Sequence, residues 1–149
     1  MKNTSEYQQF IESLPIAYLT TIDAAGMLST RALLNLRCKA QFPHMLPLHQ
    51  EEGNPLTVFL TTNTSSDKMQ EIAQNANACL YFCKENSFQG LLLQGKIEAV
   101  TDNALRQKAW IKAWEMYYPK GDSDYTLLRF LPETVKTYAN FAVNKENVF

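Results

Sequence analysis

Hydroxyl, amide and basic side chains are concentrated between residues 61 and 68, directly after an apolar run. The segment reads Thr-Thr-Asn-Thr-Ser-Ser-Asp-Lys and leads into a pattern typical of a helix. A helix N-terminus attracts an anion because its first N–H groups are unpaired and because the helix dipole is positive there. Ser65, Ser66 and Lys68 would add hydrogen-bond donors and one full positive charge. This combination predicts an anion-binding site at the start of the helix.

The same segment also fits a simpler role as a helix cap. Ser, Thr and Asp are preferred at helix N-termini, and the pair Thr64 and Asp67 resembles a capping box. Taken alone, the pattern favours the cap, so the choice depends on the neighbouring segments.

A second basic residue, Arg31, lies on a predicted strand that covers residues 28–36. If this strand faces the predicted strand 56–62 across a barrel, Arg31 and Lys68 converge on one anion. The two residues are far apart in the sequence, and periodicity alone does not establish this pairing.

Hydrophobic periodicity and turn-forming residues divide the chain into three helices and seven strands. The predicted helices cover residues 5–14, 66–74 and 101–118. The predicted strands cover residues 16–22, 28–36, 56–62, 78–83, 88–100, 125–131 and 134–139. Because hairpin turns join most neighbouring strands, we expect a mainly β protein with α: an antiparallel barrel with peripheral helices, in one domain spanning residues 1–149. The continuous apolar character of strand 78–83 predicts burial on both faces.

The long predicted helix 101–118 carries an aromatic stripe formed by Trp110, Trp114 and Tyr117. Such a stripe is more often part of a core or a subunit contact than of a ligand site. We therefore favour packing for these residues, with direct ligand contact as the alternative.

The composition excludes several classes of function. The net charge is −1 and the 14 basic residues are dispersed, which argues against a nucleic-acid partner. No apolar stretch approaches the roughly 20 residues that span a bilayer. The first ten residues are polar and lack the apolar core of a signal peptide, so we expect a cytoplasmic protein without a membrane partner.

The three cysteines indicate a reducing compartment and no metal site. Cys79 and Cys83 would lie about 13 Å apart along one strand. That separation is too large for a disulfide, whose Cα atoms lie within roughly 7 Å of each other. Cys38, His44 and His49 do not have the spacing of a structural metal site.

Several short motifs resemble, in their order and spacing, the pyridoxamine 5'-phosphate oxidase-like family of FMN-binding split barrels, especially its short branch of general stress proteins. The resemblance covers nearly the whole chain. Its motifs are Arg31-x-Leu33, Phe59-Leu60-Thr61-Thr62, Ser66-x-Lys68, Asn75-x-Asn77-x-Cys79-Leu80-Tyr81-Phe82, Gly95 within residues 94–99, Trp114-x-x-Tyr117-Tyr118-Pro119-x-Gly121 and Leu127-Leu128-Arg129-Phe130-x-Pro132-Glu133.

The resemblance implies an antiparallel split barrel of six to seven strands that binds FMN. It implies that Arg31 contacts the phosphate and ribityl end and that the backbone near Leu33 lies by the flavin ring. The remaining implied contacts come from one segment. Thr61 and Thr62 would line the ring and the ribityl chain, and Ser66 and Lys68 would hold the phosphate.

No side chain is predicted to be catalytic. The two histidines do not fit a Ser-His-Asp triad, and the sequence has no glycine-rich phosphate loop. Any chemistry would come from the flavin, with NAD(P)H as a possible electron donor. The resemblance implies an FMN-dependent oxidoreductase of undefined substrate. We expect a homodimer, because the sheet edges and the aromatic stripe need cover by a partner. The alternatives are a flavin-binding stress or sensor protein without turnover, and a split barrel that binds a deazaflavin or haem.

The departures from the family pattern also carry information. Asp67 stands where the oxidase has a second cation, and Leu36 stands where it has a lysine, so weaker FMN binding is expected. The tail after Tyr138 lacks the arginine and histidine that bind the oxidase's substrate. Oxidation of pyridoxamine 5'-phosphate is therefore not expected.

Overall fold

The structure is a computed structural model that describes all residues from Met1 to Phe149. It contains four α-helices and seven β-strands, with short 3₁₀ turns between some of them. The helices are α1 (Thr4–Glu12), α2 (Leu46–Gln50), α3 (Asp67–Gln74) and α4 (Asn103–Ala109). The strands are β1 (Ile16–Ile22), β2 (Leu28–Leu34), β3 (Val58–Asn63), β4 (Asn77–Lys84), β5 (Gln89–Ala99), β6 (Tyr125–Ala139) and β7 (Ala142–Asn147). None of the helices combines the length and the apolar character that crossing a bilayer requires.

All seven strands belong to one antiparallel sheet, in the order β2-β1-β4-β5-β6-β3, with β7 added alongside β6. The first half of β6 pairs with β3 and its second half pairs with β7. The sheet curls until its end strands, β2 and β3, touch without forming a hydrogen-bonded ladder. This arrangement is a split barrel, and it confirms the predicted fold class of a mainly β protein with peripheral helices.

β3 is buried on both faces because a hydrophobic cluster lies on each side of it. Val58 and Leu60 belong to the cluster inside the barrel. Phe59, which lies between them in the sequence, belongs to a second cluster outside the barrel. β4 was expected to be the doubly buried strand, and this expectation is wrong: Tyr81 is 41% exposed, because the rest of the chain does not cover the outer face of β4.

The predicted helix 101–118 is also wrong, because α4 ends at Ala109. Trp110 has an extended backbone, with ψ of 134°, and a 3₁₀ turn follows from Lys112 to Met116. The break lets Trp110 and Trp114 both pack against Tyr125, with ring centroids 5.1 and 5.8 Å away. The packing of these aromatic rings therefore ends the helix, although the hydrophobic pattern of the sequence favours a longer one.

The aromatic stripe itself is partly confirmed. Trp114 is only 2% exposed and is a core residue of the second cluster, as favoured. Tyr117 is 53% exposed and does not share this packing.

The end of the chain forms a hairpin that the sequence pattern did not predict. Residues 125–131 and 134–139 were expected to be two strands, but they form the single strand β6, and β7 is the seventh strand. β7 is fastened to α1, because the Tyr7 hydroxyl donates to the Glu146 carboxylate at 2.5 Å and accepts from the Asn144 amide at 3.0 Å. Burial and the Glu146 carboxylate raise the pKa of Tyr7 to about 12.

Candidate functional site

The loop between β3 and α3 is held in place by a single acidic residue, Asp124. Its carboxylate accepts hydrogen bonds from the Asn63 amide at 2.9 Å and from the backbone N–H of Ser65 at 2.8 Å. Its backbone carbonyl accepts from the N–H of Thr64 at 2.7 Å. The hydrogen bonds from Asn63 and Ser65 hold the pKa of Asp124 below its usual range. The loop is therefore fixed before α3 begins.

Ser66 is the N-cap residue of α3, but its side chain does not cap the helix. The hydroxyl oxygen instead accepts a hydrogen bond from Lys68 Nζ at 3.2 Å. The first N–H groups of the helix, those of Asp67 and Lys68, make no hydrogen bond within the protein. These donors remain available to a ligand, which is the arrangement expected of an anion site and not of a self-sufficient cap.

The Lys68 ammonium group hydrogen-bonds to two hydroxyl groups of this segment, those of Thr62 and Ser66. Its Nζ donates to Thr62 Oγ1 at 2.7 Å, and the Thr62 and Ser66 hydroxyl oxygens are 3.4 Å apart. Burial, followed by the positive charge of Arg31, lowers the pKa of Lys68. The predicted residues Thr62, Ser66 and Lys68 thus form one cluster, and Arg31 lies close enough for its charge to act on it.

Arg31, on β2, lies beside this cluster and hydrogen-bonds to two residues that the sequence did not predict, Thr21 and Glu71. Its Nη1 donates to Thr21 Oγ1 at 2.6 Å, and its Nη2 donates to Glu71 Oε2 at 3.1 Å. Glu71 lies three residues after Lys68, a spacing that places both side chains on adjacent turns of one helix. That spacing was the available indication of Glu71, whereas the approach of Thr21 depends on the register of β1 against β2.

Thr61 and Leu33 lie outside this cluster. Strand alternation places Thr61 on the opposite face of β3 from Thr62. Its hydroxyl there lies near the phenol of Tyr118, whose pKa is raised by burial. Leu33 packs against the hydrophobic cluster inside the barrel.

A cavity of about 670 Å³ adjoins Tyr118 on the Thr61 side of β3. Its aromatic walls are Trp110, Tyr118 and Tyr125. Arg106 lies over the Tyr125 ring, 5.4 Å from the centroid, and donates to the Tyr125 carbonyl at 3.0 Å. The cavity beside Tyr118 and the charged cluster around Lys68 share no residue, and they lie on opposite faces of β3.

The donor set around Lys68 fits a phosphate monoester. Two cations, two hydroxyls and two free helical N–H groups belong to this cluster. Phosphate oxygens accept such charge-assisted hydrogen bonds well. Glu71 and the neighbouring Asp67 oppose this fit, because they place negative charge beside both cations.

Comparison with known proteins identifies a family and a fold. The family model for pyridoxamine 5'-phosphate oxidase matches residues 4–139. A protein from Clostridium acetobutylicum related to general stress protein 26 of B. subtilis, of the pyridoxinephosphate oxidase family, is 28% identical, with a TM-score of 0.77 over 98% of this chain and 96% of that one.

Two more distant structures share the fold. General stress protein 26 from Bacillus anthracis is 14% identical, with a TM-score of 0.71 over 98% of this chain and all of that one. A haem-binding protein from Mycobacterium smegmatis is 12% identical, with a TM-score of 0.70 over 99% of this chain and 59% of that one. A search of curated proteins finds no match to the chain.

Proposed function

Because the chain belongs to the pyridoxamine 5'-phosphate oxidase family, whose model matches residues 4–139, we propose that it binds FMN and acts as an oxidoreductase. Lys68, Ser66 and the first N–H groups of α3 would hold the phosphate, with Arg31 on its other side. Thr61 and Thr62 would contact the ring and the ribityl chain. Bound FMN would supply two-electron redox chemistry, which none of these side chains provides.

The observation that carries this proposal is the orientation of Ser66. A serine at the N-cap normally accepts a hydrogen bond from its own helix, which satisfies one of the unpaired N–H groups. Here the hydroxyl faces Lys68, 3.2 Å from its Nζ, and leaves those N–H groups free. A lysine, a hydroxyl pair and two unpaired N–H groups at one helix start favour an anionic ligand over a structural role.

The position of β3 limits where one ligand would reach both of its faces. β3 is an end strand of the sheet order, but it contacts β2 and the Phe59 N–H donates to His49, so a ligand would approach its edge only near Thr61 and Thr62. The phosphate would bind at the Thr62 face, and the ring would extend along the edge toward the Thr61 face. The chain contributes position and charge, and the aromatic walls would exclude water from the ring.

Purification and titration test the proposal. We expect purified protein to bind FMN with a characteristic flavin absorption band, and to bind riboflavin more weakly because riboflavin lacks the phosphate. Mass spectrometry of the ligand released from the purified protein identifies it directly. Recovery of haem or a deazaflavin, or equal affinity for FMN and FAD, would contradict the assignment of a terminal-phosphate site.

Reduction of the FMN-loaded protein distinguishes an oxidoreductase from a protein that only stores flavin. Bleaching of the flavin band on addition of NADH or NADPH, followed by recovery in the presence of an electron acceptor, is expected of an oxidoreductase. A flavin band that neither nucleotide changes would favour the non-catalytic alternative.

A homodimer is the second part of the proposal. Trp110 and Trp114 of the aromatic stripe pack in the second cluster and need no cover from a partner, so the support comes from a different surface. The outer face of the sheet exposes Leu28, Tyr81, Tyr138 and Val143, by 68, 41, 42 and 61%. Strand register places these four on one face, and a two-fold partner would cover the same patch on both chains. Light scattering that gives the 17.0 kDa mass of a single chain would contradict the dimer.

A further inference from the structure

Arg31 is held by a closed arrangement of three side chains. Its guanidinium donates to Thr21 at 2.6 Å and to Glu71 at 3.1 Å. The Thr21 hydroxyl in turn donates to Glu71 Oε2 at 2.5 Å, so the same carboxylate oxygen accepts from both partners. Both terminal nitrogens of Arg31 therefore already donate within the protein, and of its five N–H groups the Nε–H and the second hydrogen of Nη2 have no partner.

The charges around Lys68 cancel. Arg31 and Lys68 contribute two positive charges, and Glu71 and Asp67 contribute two negative charges. The hydrogen bonds from Thr21 and Arg31 hold the pKa of Glu71 below its usual range, so this carboxylate stays charged at neutral pH. A phosphate monoester carries a charge of about −1.5 to −2 at pH 7 and is repelled by a carboxylate that shares its cation.

We propose that Glu71 is an internal counter-ion that competes with the ligand phosphate for Arg31, and that it sets how strongly the site prefers a phosphorylated flavin. The inference rests on the proposed function, because it concerns the same anion site. Phosphate binding would require Arg31 to leave Glu71 or to be shared with it. Glu71 thereby lowers the affinity for FMN while leaving the affinity for riboflavin unchanged.

The experiment compares two ligands and three proteins. The dissociation constants of FMN and riboflavin are measured for the parent, for Glu71→Gln and for Asp67→Asn. Asp67→Asn is the matched control, since it removes the same charge from the same helix at an exposed residue that does not contact Arg31. We expect Glu71→Gln to tighten FMN binding about tenfold with riboflavin unchanged, and Asp67→Asn to tighten it less than about threefold.

A merely structural role for Glu71 gives a different result. If the Arg31–Glu71 pair only holds β2 to α3, Glu71→Gln lowers the melting temperature and changes both ligands equally or weakens FMN. Either pattern overturns the inference. Glu71→Ala removes the carboxylate without adding an amide, and it must shift the ratio of FMN to riboflavin affinity in the same direction as Glu71→Gln.

Inorganic phosphate separates this inference from the proposed function. If the parent binds neither FMN nor riboflavin, the proposed function fails. The competition for Arg31 is then read from the rise in melting temperature that phosphate causes. A larger rise in Glu71→Gln than in the parent supports the role of Glu71 as a competing anion, and an equal rise overturns it.

Discussion

The two faces of β3 differ most at the end of the strand, where Thr61 and Thr62 follow each other. On the Thr62 face, Val58 and Leu60 belong to the hydrophobic cluster inside the barrel, and Thr62 then hydrogen-bonds to Lys68 and Ser66. The Thr61 face is covered by aromatic rings, and Phe59, on that face, is fully buried. Because successive side chains of a strand point in opposite directions, two adjacent threonines serve different surroundings. One short motif, Phe-Leu-Thr-Thr, therefore supplies residues to both the core and the proposed site.

The largest expected effect concerns the aromatic face. Trp114 is 2% exposed, so Trp114→Ala leaves a large cavity in the second cluster. We expect it to lower the free energy of unfolding by about 3–5 kcal/mol, as measured by denaturant titration. Tyr117→Ala, at the exposed neighbour, is the control and should change it by less than about 0.5 kcal/mol. Similar losses for both variants would show that the aromatic face is not a packed core.

The stability of the protein should also depend on pH through His49, which contacts Phe59 on the Thr61 face of β3. His49 is 2% exposed, donates from Nδ1 to the Met45 carbonyl at 2.9 Å and accepts at Nε2 from the Phe59 N–H at 3.1 Å. Burial and then the charge of Arg37 lower the pKa of His49 to about 3, from an ordinary value of 6.5. Between these values the unfolded chain binds one more proton than the native protein does. Stability therefore falls as the pH is lowered through this window, by up to about 1.4 kcal/mol per pH unit.

Denaturant titrations at pH 7 and pH 5 measure this slope. His49→Gln should flatten it, although this variant starts from a lower stability because a buried hydrogen-bonded ring is lost. Equal slopes in the parent and in His49→Gln would mean that His49 is not the source of this pH dependence.

The charged face should affect binding more than stability. Lys68→Ala and Arg31→Ala each remove a charge-assisted hydrogen bond to the proposed phosphate. We expect each to weaken FMN binding by about 1.5–3 kcal/mol, or roughly ten- to hundredfold, with little effect on riboflavin. Lys108→Ala, at an exposed lysine of α4, serves as the control and should bind FMN like the parent. Unchanged affinity in both site variants would break the assignment of this face.

The smallest effect is expected from an added charge. Asp67→Arg replaces an exposed acid at the start of α3 with a cation, which should tighten FMN binding by a few-fold. Gln70→Arg places the same charge farther along the exposed side of the helix and should have less effect. Isothermal titration of both variants measures the difference, and equal changes would point to general charge instead of a local contact.

Local patterns predicted the parts of the molecule that local interactions determine. β1 has the predicted bounds, and its turn into β2 is fixed by Asp23, whose carboxylate accepts from the N–H groups of Ala25 and Met27. Helix α3 and the closeness of Ser66 to Lys68 were likewise predictable, because the residues involved lie within a few positions of one another.

The parts that the sequence did not predict depend on distant contacts. α4 ends early because Trp110 and Trp114 pack on Tyr125, more than ten residues away. The six residues of β7 are mostly polar and have little strand propensity, so only pairing with β6 makes them a strand. Glu71 was missed as a partner of Arg31 because the two are 40 residues apart in the sequence.

The contact between Tyr7 and Glu146 joins residues that are 139 positions apart. During synthesis, the first helix therefore leaves the ribosome long before the strand that completes its surroundings exists. Contacts of such high sequence separation cost the most chain entropy to close and slow the folding of a domain. Tyr7 is almost fully buried in the folded protein, and its hydroxyl stays hydrated until β7 supplies the Glu146 carboxylate. The contact that joins α1 to β7 can therefore form only after nearly the whole barrel has been synthesised.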